Sequence, residues 1–207
     1  MIEGANLFQF LEKGGPIMYP LGLCSVLLLG IVFERAWSLR LRRILPTRFL
    51  IEVDDLVRRG KLPEASTLCK TNDSSIARIF LAGLQHPTRP RELCREALEA
   101  AGRQESAKLQ TNLGILAAIA SVSPLLGLLG TVMGLLQVFR TIEAHGAGNT
   151  SIFAGGIYQA LITTVVGLII AIPAFLVTKY FESKVESLVR EMERAGLELL
   201  DLLRGES

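Results

Sequence analysis

Four polar side chains, Thr131, Gln159, Thr163 and Thr164, lie within the two longest charge-free stretches of the chain, Leu109 to Phe139 and Ala144 to Thr178. A threonine hydroxyl donates and accepts a hydrogen bond without carrying charge, and a glutamine amide does both through separate atoms. Such a set suits guiding a proton or holding a polar partner. It does not suit covalent or metal chemistry. The cysteines, Cys24, Cys69 and Cys94, show no CxxC spacing and read as small buried side chains. The two histidines, His86 and His145, fall on opposite sides of the membrane expected below, and no glycine-rich phosphate loop occurs. No catalytic residue, metal or cofactor is expected. For any one threonine, a bond to the carbonyl a turn earlier on its own helix accounts for the hydroxyl. Three at one depth, beside Gln159 and near helix-breaking prolines, favour a polar strip facing a pore or a partner helix.

The elements that must hold these residues are membrane spans. Half of the 207 residues are hydrophobic and 20% are charged, and the mean hydropathy is +0.41. That is too apolar for an ordinary soluble domain. Each charge-free stretch exceeds the roughly 20 residues a helix needs to cross a bilayer. A third, Gly14 to Phe33, is just long enough. Arg35, Arg40, Arg42, Arg43 and Arg48 follow that first span, whereas Glu3, Glu12 and Lys13 precede it. The positive-inside rule therefore sets the N-terminus outside. Arg103 and Lys108 before the second span agree, as do Lys179, Lys184 and Arg190 after the third. The acidic flank and the "ERAW" at the end of the first span argue for a retained helix over a cleaved signal peptide. The net charge of +2, with no basic run interleaved with aromatics, gives no sign of nucleic-acid binding.

The expected fold is an all-α integral membrane protein with three transmembrane helices, N-out and C-in, whose long helices extend into a helical cytoplasmic region. The spans are set at 16–37, 113–140 and 155–178, and 1–15 forms an interfacial helix on the outer side. A loop over 141–154 joins the last two spans there, and 38–112 and 179–207 are cytoplasmic. In the first cytoplasmic segment, Phe49, Val53 and Leu56 recur at helical spacing, with Thr47 as cap and Gly60 as stop. "PEASTLCK" and "SSIARIFLAGL" supply two further helices. The absence of proline from Arg91 to Ser123 predicts one long helix running into the second span. The tail spaces Phe181, Val185, Leu188, Met192, Ala195, Leu199 and Leu203 by threes and fours, a single apolar seam. Either the chain's own cytoplasmic helices or another subunit covers it.

The second and third spans run in opposite directions, so depth follows from counting. Pro124 precedes Thr131 by about 10 Å of helix, and Pro173 follows Thr164 by about 14 Å. Both threonines come to one level, with a proline on the cytoplasmic side of each. Gly127, Gly130 and Gly134 on one helix, and Gly156, Ala160, Gly167 and Ala171 on the other, allow close backbone approach in lipid. Thr163 and Thr164 point about 100° apart, so they cannot face one pore equally.

"SPLLGLLGTVMGLLQVF" at Ser123 to Phe139 and "GIYQALITTVVGLIIAIPA" at Gly156 to Ala174 resemble the MotA/TolQ/ExbB proton-channel family, nearest its ExbB and TolQ branches. "FERAWSLR" after the first span and the three-span layout support the likeness along nearly the whole chain. The resemblance implies a bacterial inner-membrane homopentamer around paired single-span helices of an ExbD- or TolR-like partner. It also implies that this partner supplies an aspartate and that Thr131 and Thr164 face it along the proton path. Gln159 departs from the family pattern, since enterobacterial ExbB proteins carry glutamate there in "EALIAT". A glutamine can make a helix-helix hydrogen bond or line the pore, but it cannot exchange a proton. A non-conducting scaffold that clamps a single-span partner is the other reading, and sodium is a second candidate ion.

Overall fold

The computed structural model describes residues 14–85, 90–145 and 150–203. Among these the chain is helical, without strands. The helices are α1 (Met18–Ser38), α2 (Leu41–Ile44), α3 (Thr47–Arg58), α4 (Leu62–Thr71), α5 (Ser75–Leu84), α6 (Arg91–Gln110), α7 (Leu113–His145) and α8 (Thr150–Leu202). Three helical stretches are long and apolar enough to cross a membrane: Met18–Ser38, and segments of Arg91–Ala144 and Ala154–Leu202. Nearly all of the interfacial segment expected over 1–15 lies outside the described residues. His86 does too.

The chain forms two compact units. The first draws on the described residues of Met1–Phe33 and Asn112–Lys179. In α1, prolines 16 and 20 flank a start at Met18, where a missing N–H has no helical partner to lose. Met18, Leu21 and Leu28 turn inward, while Tyr19, Leu23, Val26, Leu29 and Phe33 are exposed. On α7 and α8 a comparable exposed apolar set runs from Leu125 to Phe139 and from Ile157 to Leu176. Such faces are stable against lipid or other apolar helices, not against water. Both helices continue through their internal prolines, Pro124 and Pro173.

The second unit comprises Glu34–Thr111 with the described part of Tyr180–Ser207. Two details of its first helices differ from the sequence expectation. Pro46, not Thr47, is the N-cap of α3, and Thr47 begins the helix. Val57 joins Phe49 and Val53 in the core while Leu56 is half-buried, because one further residue of rotation brings Val57 onto the inner stripe. Gly60 does end the helix. At φ 73°, its N–H donates to Val57 O and that of Lys61 to Leu56 O, both at 2.9 Å, which satisfies the last carbonyls in a Schellman motif. Ser74 caps α5 by accepting from the Ala77 N–H. Phe49 stacks on Phe80 with centroids 6.2 Å apart.

The uninterrupted helix expected from Arg91 into the second span is broken. Between α6 and α7, Asn112 takes φ 65°, a left-handed conformation that asparagine tolerates better than most residues. The break leaves Leu109 O without a continuing helix, and buried Arg35 Nη1 donates to it at 3.1 Å. Arg35 also pairs with its neighbour Glu34 at 2.6 Å.

A second ionic cluster joins α5 to α6. Glu105 is 2% exposed and accepts from Arg78 Nε at 2.8 Å, Arg78 Nη2 at 2.6 Å and Lys108 Nζ at 2.7 Å. Burial alone would raise its carboxyl pKa; the hydrogen bonds from Arg78 and Lys108 outweigh that and hold it at about 2. Cys69 and Cys94 are buried, and burial pushes the Cys69 thiol up to about 11.

The apolar seam of the tail is part of α8, and Phe181, Val185, Leu188, Met192 and Leu199 are buried within this chain. Ala195 and Leu203 are half-buried, and Leu200 takes a full place in the seam. The chain's own residues thus cover the seam.

Candidate functional site

The contact between α7 and α8 in the first unit is built from small residues, and its register runs antiparallel. A Cβ placed on Gly127 would lie 3.0 Å from both Thr163 O and Thr164 Cα. One on Gly134 would lie 2.9 Å from Ala160 Cβ and 3.0 Å from Gly156 O. At the other end, a Cβ on Gly167 would sit 2.6 Å from Ser123 O. As numbers rise along α7 they fall along α8. Only glycine permits this approach, and close approach is what drives helix association where lipid removes the hydrophobic incentive.

That register brings Thr131 and Thr164 together. Their hydroxyls hydrogen-bond to each other. Thr131 Oγ1 also donates to Gly127 O at 3.2 Å and reaches Ala160 O on the facing helix at 3.3 Å. Thr164 Oγ1 reaches the same Gly127 carbonyl at 3.2 Å. A hydroxyl has one proton and several lone-pair directions, so these contacts are alternatives among which the donor can switch. Both side chains are half-buried.

Thr163 is placed differently. It is fully buried, donates to Ala160 O at 2.8 Å and packs where a Cβ on Gly130 would come 2.6 Å from its own Cβ. Its hydroxyl is satisfied by its own helix, and its Cβ with both branches fills the notch that Gly130 leaves. Gln159 stands apart from the threonine pair. Its amide lies against Gly15, at the start of α1, where φ of 71° and the space taken by Nε2 both require glycine. Ala160 and Gly156 sit on the seam, Pro124 is half-buried beside it and Pro173 is exposed.

Two features were not singled out from the sequence. Gly15 opposite Gln159 could not be, because the contact joins positions distant in the chain. Ser123, 0% exposed, precedes Gly127 and Thr131 at four-residue steps. That spacing was the available signal.

Antiparallel helices long and apolar enough to cross a membrane, joined by a glycine seam with a hydroxyl pair at its centre, mark the class as that of integral membrane proteins. The chain belongs to the MotA/TolQ/ExbB proton channel family, whose model matches residues 71–194, the region that contains the whole of the hydroxyl pair and its seam. It is 37% identical to the ExbB-like protein 1 of Synechocystis sp. over 189 residues, 86% of this chain and 70% of the relative. It is 34% identical to the Tol-Pal system protein TolQ of Pseudomonas aeruginosa over 56% of this chain and 55% of that one. With the biopolymer transport protein exbB1 of Vibrio cholerae it shares 28% identity over 82% of this chain and 76% of that one. These relatives belong to the ExbB and TolQ side of the family, a group of transport-associated membrane proteins, and no enzyme family is indicated.

Proposed function

We propose that this chain is the proton-conducting subunit of a bacterial inner-membrane complex that draws on the proton-motive force. In this reading, Thr131 and Thr164 line the ion pathway. A homopentamer surrounds the helices of an ExbD- or TolR-like single-span partner, whose aspartate carries the proton past the threonine pair. The N-terminus lies outside, and the segments 38–112 and 179–207 lie in the cytoplasm.

The observation that carries this reading is the shared hydrogen bonding of Thr131 and Thr164. Intramembrane carboxylates are costly to charge and usually functional, and a hydroxyl pair can donate to the charged form and accept from the neutral one without trapping either. One charge crossing 100 mV releases about 2.3 kcal/mol. Useful mechanical work therefore takes several protons, and the track must release each one readily.

A second reading, a scaffold that only clamps a partner helix, draws on the buried, self-satisfied Thr163 and the tight glycine seam. Proton flux across liposomes separates the two. The complex of this chain with its single-span partner is expected to dissipate an imposed gradient, and the chain alone is not. A complex that assembles and leaves the gradient intact supports the scaffold.

A further inference from the structure

The geometry points to Ser123 as a water-binding station on the cytoplasmic side of the threonine pair, an inference that rests on the proposed function. Ser123 Oγ is sealed from solvent and, among the described residues, is the buried side-chain oxygen or nitrogen that lacks a hydrogen-bond partner. Other hydroxyls on the two helices show that the lack is not general. Ser121 back-bonds to Ala117 O at 2.9 Å and Thr178 to Ala174 O at 2.7 Å. A buried hydroxyl without a partner is destabilising, and such groups normally find water.

A second polar group lies one turn away. Pro124 has no N–H, so the carbonyl of Ala120 receives no donor from the residue that would ordinarily bond it. The hydroxyl of Ser123 and the carbonyl of Ala120 therefore offer two polar partners within one turn of α7, the fewest that hold a buried water. Ser123 shares its stripe with Gly127 and Thr131, and its backbone oxygen faces Gly167 on α8. It lies about 12 Å of helix from Thr131, toward the end of α7 that the charge asymmetry assigns to the cytoplasm. That interval exceeds a single proton hop. Ser123 thus serves as the inward landing point, where a proton released at the threonine level passes to the water held by Oγ and Ala120 O.

The test is proton flux in liposomes containing the complex of this chain and its partner, with Ser123→Ala, Ser123→Cys and Ser121→Ala beside wild type. Ser123→Ala is expected to lower flux roughly tenfold while the melting temperature of the complex stays near the wild-type value, since the substitution removes one water-mediated hydrogen bond and leaves the packing of the seam in place. Ser123→Cys, a weaker donor, falls between. Ser121→Ala conducts as wild type does. Wild-type flux in Ser123→Ala overturns the inference and leaves the proposed function standing, and so does a flux loss that merely tracks a lower melting temperature. A wild-type complex without flux overturns both.

Discussion

The hydroxyl of Thr131 on α7 meets the hydroxyl of Thr164 on α8, and the two share one acceptor, the carbonyl of Gly127. They come together because Gly127, Gly134 and Gly167 remove every side chain that would hold the helices apart. The hydroxyl pair and the glycine seam are therefore one feature with two parts, and each part has its own test.

Adding a methyl to the seam breaks the pairing. A Cβ at Gly167 would meet Ser123 O at 2.6 Å and Gly127 Cα at 3.1 Å, and neither backbone atom can swing aside as a side-chain tip can. Gly167→Ala is expected to cost about 1–3 kcal/mol, read as a lower melting temperature of the purified protein in detergent. Gly114→Ala meets nothing within 4 Å and is expected to leave the melting temperature unchanged or slightly raised. Equal behaviour of the two variants would show that the seam is not tight at Gly167.

Gln159 contacts the start of α1, away from the threonine pair. Gln159→Ala is expected to keep proton flux within roughly threefold of wild type, with a modest loss of stability from the packing given up against Gly15. Flux abolished by this variant in an assembled complex would move Gln159 onto the pathway.

Glu105 sets an acid limit for the second unit. Its carboxyl has a pKa near 2 in the folded chain against an ordinary 4.5. A depressed carboxylate contributes its stability above the ordinary value and loses it as pH falls toward the folded one. That contribution is roughly 3 kcal/mol. Thermal melts between pH 6 and pH 3 should show wild type losing stability faster than Glu105→Gln, which starts lower by about 2–4 kcal/mol and varies less with pH. Parallel pH curves for the two proteins would contradict the ion cluster.

Much of this arrangement was legible in the sequence because lipid leaves few choices. Charge-free runs of sufficient length must be helices, a short connection makes neighbouring spans antiparallel, and counting at 1.5 Å per residue puts Thr131 level with Thr164. What the sequence left open turned on rotation about a helix axis and on local backbone conformation. Thr163 and Thr164 are adjacent, and only packing against Gly130 and Gly127 assigns the first to the seam and the second to the pair. The break at Asn112 carries no proline or glycine signal; a left-handed asparagine next to Thr111 produces it. Ser123 reads as an ordinary serine until its burial and its missing partner are seen together.

The central claim is that the hydroxyls of Thr131 and Thr164 carry protons past a carboxylate on the partner. Proton flux in liposomes tests it, using the assembled complex with Thr131→Val and Thr164→Val. Valine keeps the shape and removes the hydroxyl, and an interhelical bond in a membrane protein is worth about 0.6 kcal/mol, too little for its loss to disassemble the complex. Each variant is expected to co-purify with the partner and to conduct at least roughly tenfold less than wild type. Wild-type conduction by both variants would contradict the account.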